Sequence, residues 1–141
     1  TLFRSYAAEA MSGFAVHACT DITGFGLLAH ALEMAGDQFS ILIQPERLPY
    51  FDEAYAYAEE FLLTAAGQRN RNHLSGKTNV DNLPSAIQEL MFDPQTSGGL
   101  LISTTPDEAE ELLAAVRKNG DPAAQIIGEI VRRDQDIILF S

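Results

Sequence analysis

Between Ala15 and Gly36 the hydrophobic pattern changes period across one polar turn, and this switch constrains the fold more than any other feature. Ala15-Val16-His17-Ala18-Cys19 is a short run of mainly small or apolar residues bounded by Gly13 and Asp21, as a buried strand would be. Leu27, Leu28, Ala31, Leu32 and Ala35 then fall at helical spacing, and Gly36 stands where a helix C-terminus takes a left-handed residue. A strand, a tight loop and a helix therefore follow one another. The loop, Asp21-Ile22-Thr23-Gly24-Phe25-Gly26, brings a carboxylate, a hydroxyl and two glycines to a helix N-terminus.

Similar reasoning predicts the other elements. Leu2 to Met11 reads as a helix, Ser40 to Ile43 as a strand, and Asp52 to Leu63 as a helix with Ala54, Ala58 and Phe61 inward. Gly67 to Asn82 lacks periodicity and reads as a long mobile or ligand-facing loop. Pro84 to Met91 predicts a short helix, and Leu100 to Ser103 a buried strand. Thr105-Pro106-Asp107-Glu108 has the pattern of a capping box and opens a helix with Ala109, Leu112, Leu113 and Val116 at core spacing. Ala124 to Val131 and Ile137 to Phe140 read as strands joined by a polar turn, hence a hairpin. The expected class is α/β (α+β), a mixed sheet flanked by helices.

At 141 residues and 46% hydrophobic content, the chain suits one domain whose core needs neither disulfide nor metal. Nine basic against twenty acidic side chains leave a net charge of −11, which disfavours nucleic acid and anionic membrane surfaces as partners. Cys19 is the only cysteine, so no internal disulfide forms and a cytoplasmic setting is expected. No apolar run approaches the roughly 20 residues of a membrane helix. The first residue is Thr1, and the helix beginning at Leu2 suggests a piece of a longer chain.

Two segments carry chemistry. In the first, Asp21 can hold a hard cation such as Mg²⁺ that bridges phosphate oxygens, while Thr23, Gly24 and Gly26 suit close approach of an anion. In the second, Asp93-Pro94-Gln95-Thr96-Ser97-Gly98-Gly99, the hydroxyls of Thr96 and Ser97 and the backbone of Gly98 and Gly99 can form an anion-binding nest before a strand. The residues alone leave a plainer reading open, in which Asp21 and Thr23 cap a helix and the glycines only turn the chain.

Taken together, His17-Ala18-Cys19-Thr20-Asp21-Ile22-Thr23-Gly24-Phe25-Gly26-Leu27-Leu28-Ala29-His30 and Asp93-Pro94-Gln95-Thr96-Ser97-Gly98-Gly99-Leu100-Leu101 resemble the two signature blocks of selenophosphate synthetase (selenide, water dikinase) C-terminal domains. The resemblance runs over nearly the whole chain. It implies a fold like the C-terminal domain of aminoimidazole ribonucleotide synthetase, with residues 1–141 forming the second domain of a two-domain enzyme that is a homodimer at full length. It further implies conversion of ATP, selenide and water to selenophosphate, AMP and orthophosphate, with Mg²⁺ as cofactor and Asp21 matching the one metal-binding aspartate that the C-terminal domain supplies. The reactive Cys or selenocysteine and the essential Lys belong to the N-terminal domain, so no principal catalytic group is expected here and the chain alone should be inactive. Two alternatives stand beside this: a related ATP-dependent synthetase or kinase, and a non-catalytic dimerisation module.

One block departs from the family, since the usual Gly-Gly-Thr followed by Arg-Asn reads here Gly67-Gln68-Arg69-Asn70-Arg71-Asn72. Arg69, Arg71 and Lys77 form the main local cluster of positive charge, suited either to phosphates or to solvent. Cys19 reads as a small buried hydrophobe rather than a nucleophile, Phe25 as a core anchor for its turn, and His17, His30 and His73 as core or surface residues without zinc-ligand spacing.

Overall fold

The computed structural model describes residues 2–133 and 138–140. In chain order the elements are α1 (Leu2–Met11), β1 (Val16–Asp21), α2 (Gly26–Ala35), β2 (Phe39–Ile43), α3 (Asp52–Glu59), α4 (Ala65–His73), α5 (Ser85–Phe92), β3 (Leu100–Thr104), α6 (Pro106–Lys118), β4 (Gly128–Arg132) and β5 (Ile138–Phe140). Short 3-10 turns occupy Pro45–Arg47 and Val80–Asn82. The α/β class is as expected, but the strands divide into two sheets.

In one sheet β1 pairs antiparallel with β3, running from Val16 opposite Thr104 to Asp21 opposite Leu100, with an irregularity between Val16 and Ala18. In the other, β2 lies between β4, antiparallel, and β5, parallel. The predicted final hairpin is therefore absent: β4 and β5 flank β2 rather than each other. Ser40, Ile41 and Ile43 of β2 are buried, whereas Glu129, Ile130 and Arg132 of β4 are exposed. The most buried strand takes the centre, where both of its hydrogen-bonding edges are satisfied, and the half-polar strand takes an edge. Residues 134–137, which include most of the predicted turn, lie outside the described residues.

The main core gathers Ile22, Leu28, Ala31, Ile41, Ile43, Leu74, Val80, Met91, Phe92 and Leu101. Phe92 and Met91 are each 1% exposed, and burial on this scale stabilises by roughly 1.5–3 kcal/mol per large side chain. A second cluster of Ala10, Leu112 and Val116 joins α1 to α6. At the start of α6, Pro106 takes the first helical position as expected, but Thr105 makes no side-chain cap. Glu108 instead accepts a 2.7 Å hydrogen bond from the Ala15 backbone N–H, tying α6 to the entry of β1.

Two further expectations change. The helix from Asp52 ends at Glu59 rather than Leu63, because Phe61 turns into the left-handed region at φ 58°. Ala58 faces inward as predicted, but Phe61 is 76% exposed. The supposed long loop from Gly67 to Asn82 is largely α4 and a 3-10 turn. Its helix starts at Thr64, whose hydroxyl accepts from the Gly67 N–H at 2.9 Å, and it is held by tertiary contacts that no local pattern records.

Candidate functional site

The two signature segments, distant in sequence, lie side by side. Pairing of β1 with β3 ends at Asp21 and Leu100, and the contact continues beyond the strands. Ile22 N–H donates to the Gly99 carbonyl at 2.9 Å, and Gln95 N–H donates to the Thr23 carbonyl at 3.0 Å. The same Thr23 carbonyl accepts from Gly26 N–H at 3.0 Å, closing the turn into α2. Phe25 occupies the N-cap position of α2 and brings no side-chain acceptor of its own.

The four glycines divide into two kinds. Gly26 has φ 75°, and a Cβ there would meet the Phe92 carbonyl oxygen at 2.8 Å. A Cβ at Gly98 would overlap the Ile22 carbonyl oxygen. The chain's own packing thus requires these two glycines. Gly24 and Gly99 have nothing within 4 Å of such a Cβ, and both are exposed. Thr96 and Ser97 are exposed as well. The open face of the paired loops is therefore formed by Gly24, Thr96, Ser97 and Gly99.

A residue missed at the sequence level binds this unit to the rest of the domain. Asn70, 8% exposed and in the middle of α4, donates through Nδ2 to the Gly24 carbonyl at 3.1 Å and to the Phe92 carbonyl at 2.9 Å. An isolated polar residue in a polar run has no periodic signature; the one available clue was Thr64 as a helix cap. Arg71 is likewise committed to structure. Its guanidinium donates to Gln88 at 2.9 Å and to Glu89 at 2.7 Å, and lies 4.7 Å from the centre of the Phe92 ring. Within the Arg69, Arg71 and Lys77 cluster, read as suited either to phosphates or to solvent, Arg71 is thus committed to partners on α5, while Arg69 is exposed. Asp93 accepts from the Thr64 hydroxyl at 2.8 Å, linking the second loop to the start of α4.

Asp21 is half-buried at the end of β1. Thr23 Oγ1 lies 3.0 Å from His30 Nε2, and His30 is buried on α2. Glu33 approaches the other ring nitrogen of His30 at 3.6 Å. Phe25, expected in the core, is 65% exposed and meets the His30 ring edge-on at 6.2 Å. Cys19 is also exposed rather than buried. Although the residue as a whole is open to solvent, partial desolvation of the thiol and, second, the nearby Asp21 carboxylate raise its pKa. Such a thiol is a poor nucleophile at neutral pH.

Among the described residues no group of three His, Cys, Asp or Glu side chains could cage a metal ion. Asp21 and the Thr23 hydroxyl are hard oxygen donors of the kind Mg²⁺ takes, and Mg²⁺ is commonly held by one or two carboxylates together with substrate phosphates and water. The donor set fits one corner of such a site, and its other ligands would have to come from elsewhere. No helix among the described residues is long and apolar enough to cross a membrane.

The chain has relatives among known proteins. Residues 1–140 match the family described as the C-terminal domain of AIR synthase related proteins. The chain is 56% identical over 135 residues to a selenide, water dikinase of Desulfitobacterium hafniense strain Y51, covering 96% of this chain and 39% of that protein. It is 43% identical over 138 residues to the protein of that name from Agathobacter rectalis, covering 97% and 40%. With the Clostridioides difficile protein, again named selenide, water dikinase, the identity is 41% over 135 residues, covering 94% and 39%. The chain thus spans about two fifths of the length of these curated relatives.

Proposed function

Because this chain belongs to the family of AIR synthase related protein C-terminal domains, we propose that it is the C-terminal domain of a selenide, water dikinase, the enzyme that makes selenophosphate, AMP and orthophosphate from ATP, selenide and water. The observation that carries the reading is the stitching of the two signature loops by Ile22 to Gly99 and Gln95 to Thr23, which presents Asp21 and an open rim of hydroxyls and glycines together. The likeness to relatives of that name supports the choice of reaction.

On this reading Asp21 supplies one carboxylate to Mg²⁺, and Thr23, Gly24, Gly26 and the Thr96, Ser97, Gly98 and Gly99 segment shape the pocket around the phosphates. Gly24 and Gly99 leave room for backbone to approach an anion, while Gly26 lets the first loop pack against the end of α5 and Gly98 lets the second loop pack against the first. The hydroxyls of Thr96 and Ser97 can donate to phosphate oxygens. When bound, the metal would neutralise phosphate charge and polarise the bond that breaks. An ATP-binding N-terminal domain completes the site and brings the reactive Cys or selenocysteine and the Lys.

The test is Asp21→Asn in the full-length protein. Loss of selenophosphate formation at saturating ATP, with the thermal transition kept within a few degrees of wild type, is expected. Full activity in that variant would overturn the role of Asp21, and ATP turnover without selenide dependence would move the reading to another ATP-dependent synthetase.

A further inference from the structure

His30 is a buried polar residue that the proposed chemistry does not use. It stands on α2 one turn past the glycine loop, with Nε2 3.0 Å from Thr23 Oγ1 and Nδ1 3.6 Å from Glu33 Oε2. A neutral imidazole has one donor and one acceptor nitrogen, and the surroundings of one nitrogen decide the role of the other. The Glu33 carboxylate lies slightly beyond hydrogen-bond reach, but its charge still favours a proton on the nitrogen that faces it. Nε2 is then bare and takes the proton of the Thr23 hydroxyl.

We infer that His30 is a positioning residue for the Asp21 loop, turning the Thr23 hydroxyl so that it offers oxygen lone pairs, not a proton, to what binds there. A hydroxyl has one proton, and once that proton is committed to His30 the oxygen can no longer donate to a phosphate. It can accept from a coordinated water or face a divalent cation directly. Thr23 therefore works with Asp21, two residues before it, on the cation side of the site. Thr96 and Ser97 remain the hydroxyl donors for the anion. The edge-on Phe25 ring, 6.2 Å from His30, braces the imidazole from the solvent side. The inference rests on the reading of Asp21 as a metal ligand, but its first test does not.

A long-range ¹H–¹⁵N spectrum of this chain at pH 8, above the ordinary His range, reads the tautomer directly. The expected result is a protonated Nδ1 and a bare Nε2 at His30, with Glu33→Gln moving the population toward the other tautomer; a protonated Nε2 in wild type overturns the inference. In the full-length protein, Thr23→Val and His30→Leu should weaken apparent Mg²⁺ affinity about tenfold, as loss of a supporting partner does at metal sites, while KM for ATP at saturating Mg²⁺ holds. Thr23→Ser and His30→Gln should recover most of the loss. A raised KM for ATP with unchanged Mg²⁺ dependence would return Thr23 to the phosphate side. Failure of the Asp21 role would show separately, as an Asp21→Asn enzyme that keeps its activity, and failure of the dikinase reading as ATP turnover that does not depend on selenide.

Discussion

Asn70 is the side chain whose removal tests the architecture of the site most directly. Its amide spans from α4 to two carbonyls, Gly24 on the first loop and Phe92 at the end of α5, at 3.1 and 2.9 Å. Asn70→Ala deletes both bonds, each of which contributes roughly 1 kcal/mol net, and leaves the buried Phe92 carbonyl without this partner at a further cost of about 1–3 kcal/mol if nothing replaces it. Some relaxation of the exposed Gly24 is available, so the expected loss is about 2–4 kcal/mol. For a chain of this size that corresponds to a fall of roughly 6–12 °C in the thermal transition.

Asn70→Asp makes the argument sharper because it keeps the shape and reverses the polarity. A carboxylate in place of the amide would face two carbonyl oxygens with no proton to give, so at pH 7 this variant should be less stable than the Ala variant. Such a carboxyl has a folded-state pKa above its unfolded value of about 3.9. The penalty is therefore absent below that unfolded value and grows as pH rises, and the Asp variant should recover relative to Ala on going from pH 7 to about pH 4.5. Urea unfolding at the two pH values measures this. An Ala variant within about 0.5 kcal/mol of wild type, or an Asp variant no worse than Ala at pH 7, would refute the clip.

Three other predictions rest on the same geometry. Gly26→Ala and Gly98→Ala should each destabilise by about 1–3 kcal/mol through backbone strain or overlap with a carbonyl, whereas Gly24→Ala and Gly99→Ala should leave stability within about 0.5 kcal/mol and weaken nucleotide binding by the full-length protein; denaturant curves beside a nucleotide titration separate the pairs. Asp21→Asn should speed iodoacetamide alkylation of Cys19 at pH 8, because it removes the second cause of the raised thiol pKa while the larger one, desolvation, remains. An unchanged rate would show the two groups to be uncoupled. Because that thiol holds its proton more tightly folded than unfolded, stability should be level below its ordinary pKa of about 8.5 and fall as pH rises past it.

Most elements were legible from hydrophobic period alone, since Leu28 and Ala31 on α2 or Leu112 and Val116 on α6 repeat at the helical interval and are buried. The failures have a common cause in long-range contacts. α4 carries few apolar residues and is held by Asn70 and Arg71 to partners on α5 and the first loop, so its local pattern resembled a loop. The pairing of β5 with β2 depends on which strand can satisfy two edges, not on the distance between β4 and β5 along the chain. Phe25 and Cys19 were assigned to the interior by residue type, which describes averages and not single positions. At the site, the carboxylate, hydroxyls and glycines were readable as a set. Which glycines serve the fold was not, because the Ile22 and Phe92 carbonyls that exclude a side chain are distant from Gly98 and Gly26 along the chain. His30 was read as a core or surface residue and is buried, but its partner Thr23, only seven residues before it, becomes significant once the loop is folded back on α2.

The charge of the chain bears on what those loops can accept. With a net charge of −11 and Asp21 at their edge, a bare phosphate would meet repulsion rather than capture. A pair of unit charges 4 Å apart near a protein surface interacts by roughly 4 kcal/mol, comparable to several neutral hydrogen bonds of the kind Thr96, Ser97 or the loop backbone could make. Where the Asp21 charge is not offset, a repulsion of that size would outweigh what a hydroxyl or a backbone N–H gives an anion beside it. A divalent cation ligated by Asp21 reverses the sign of that interaction. An acidic chain is thus compatible with a nucleotide arriving as its metal complex, and on the proposed reading the loops would then orient the phosphates while the cation supplies most of the attraction.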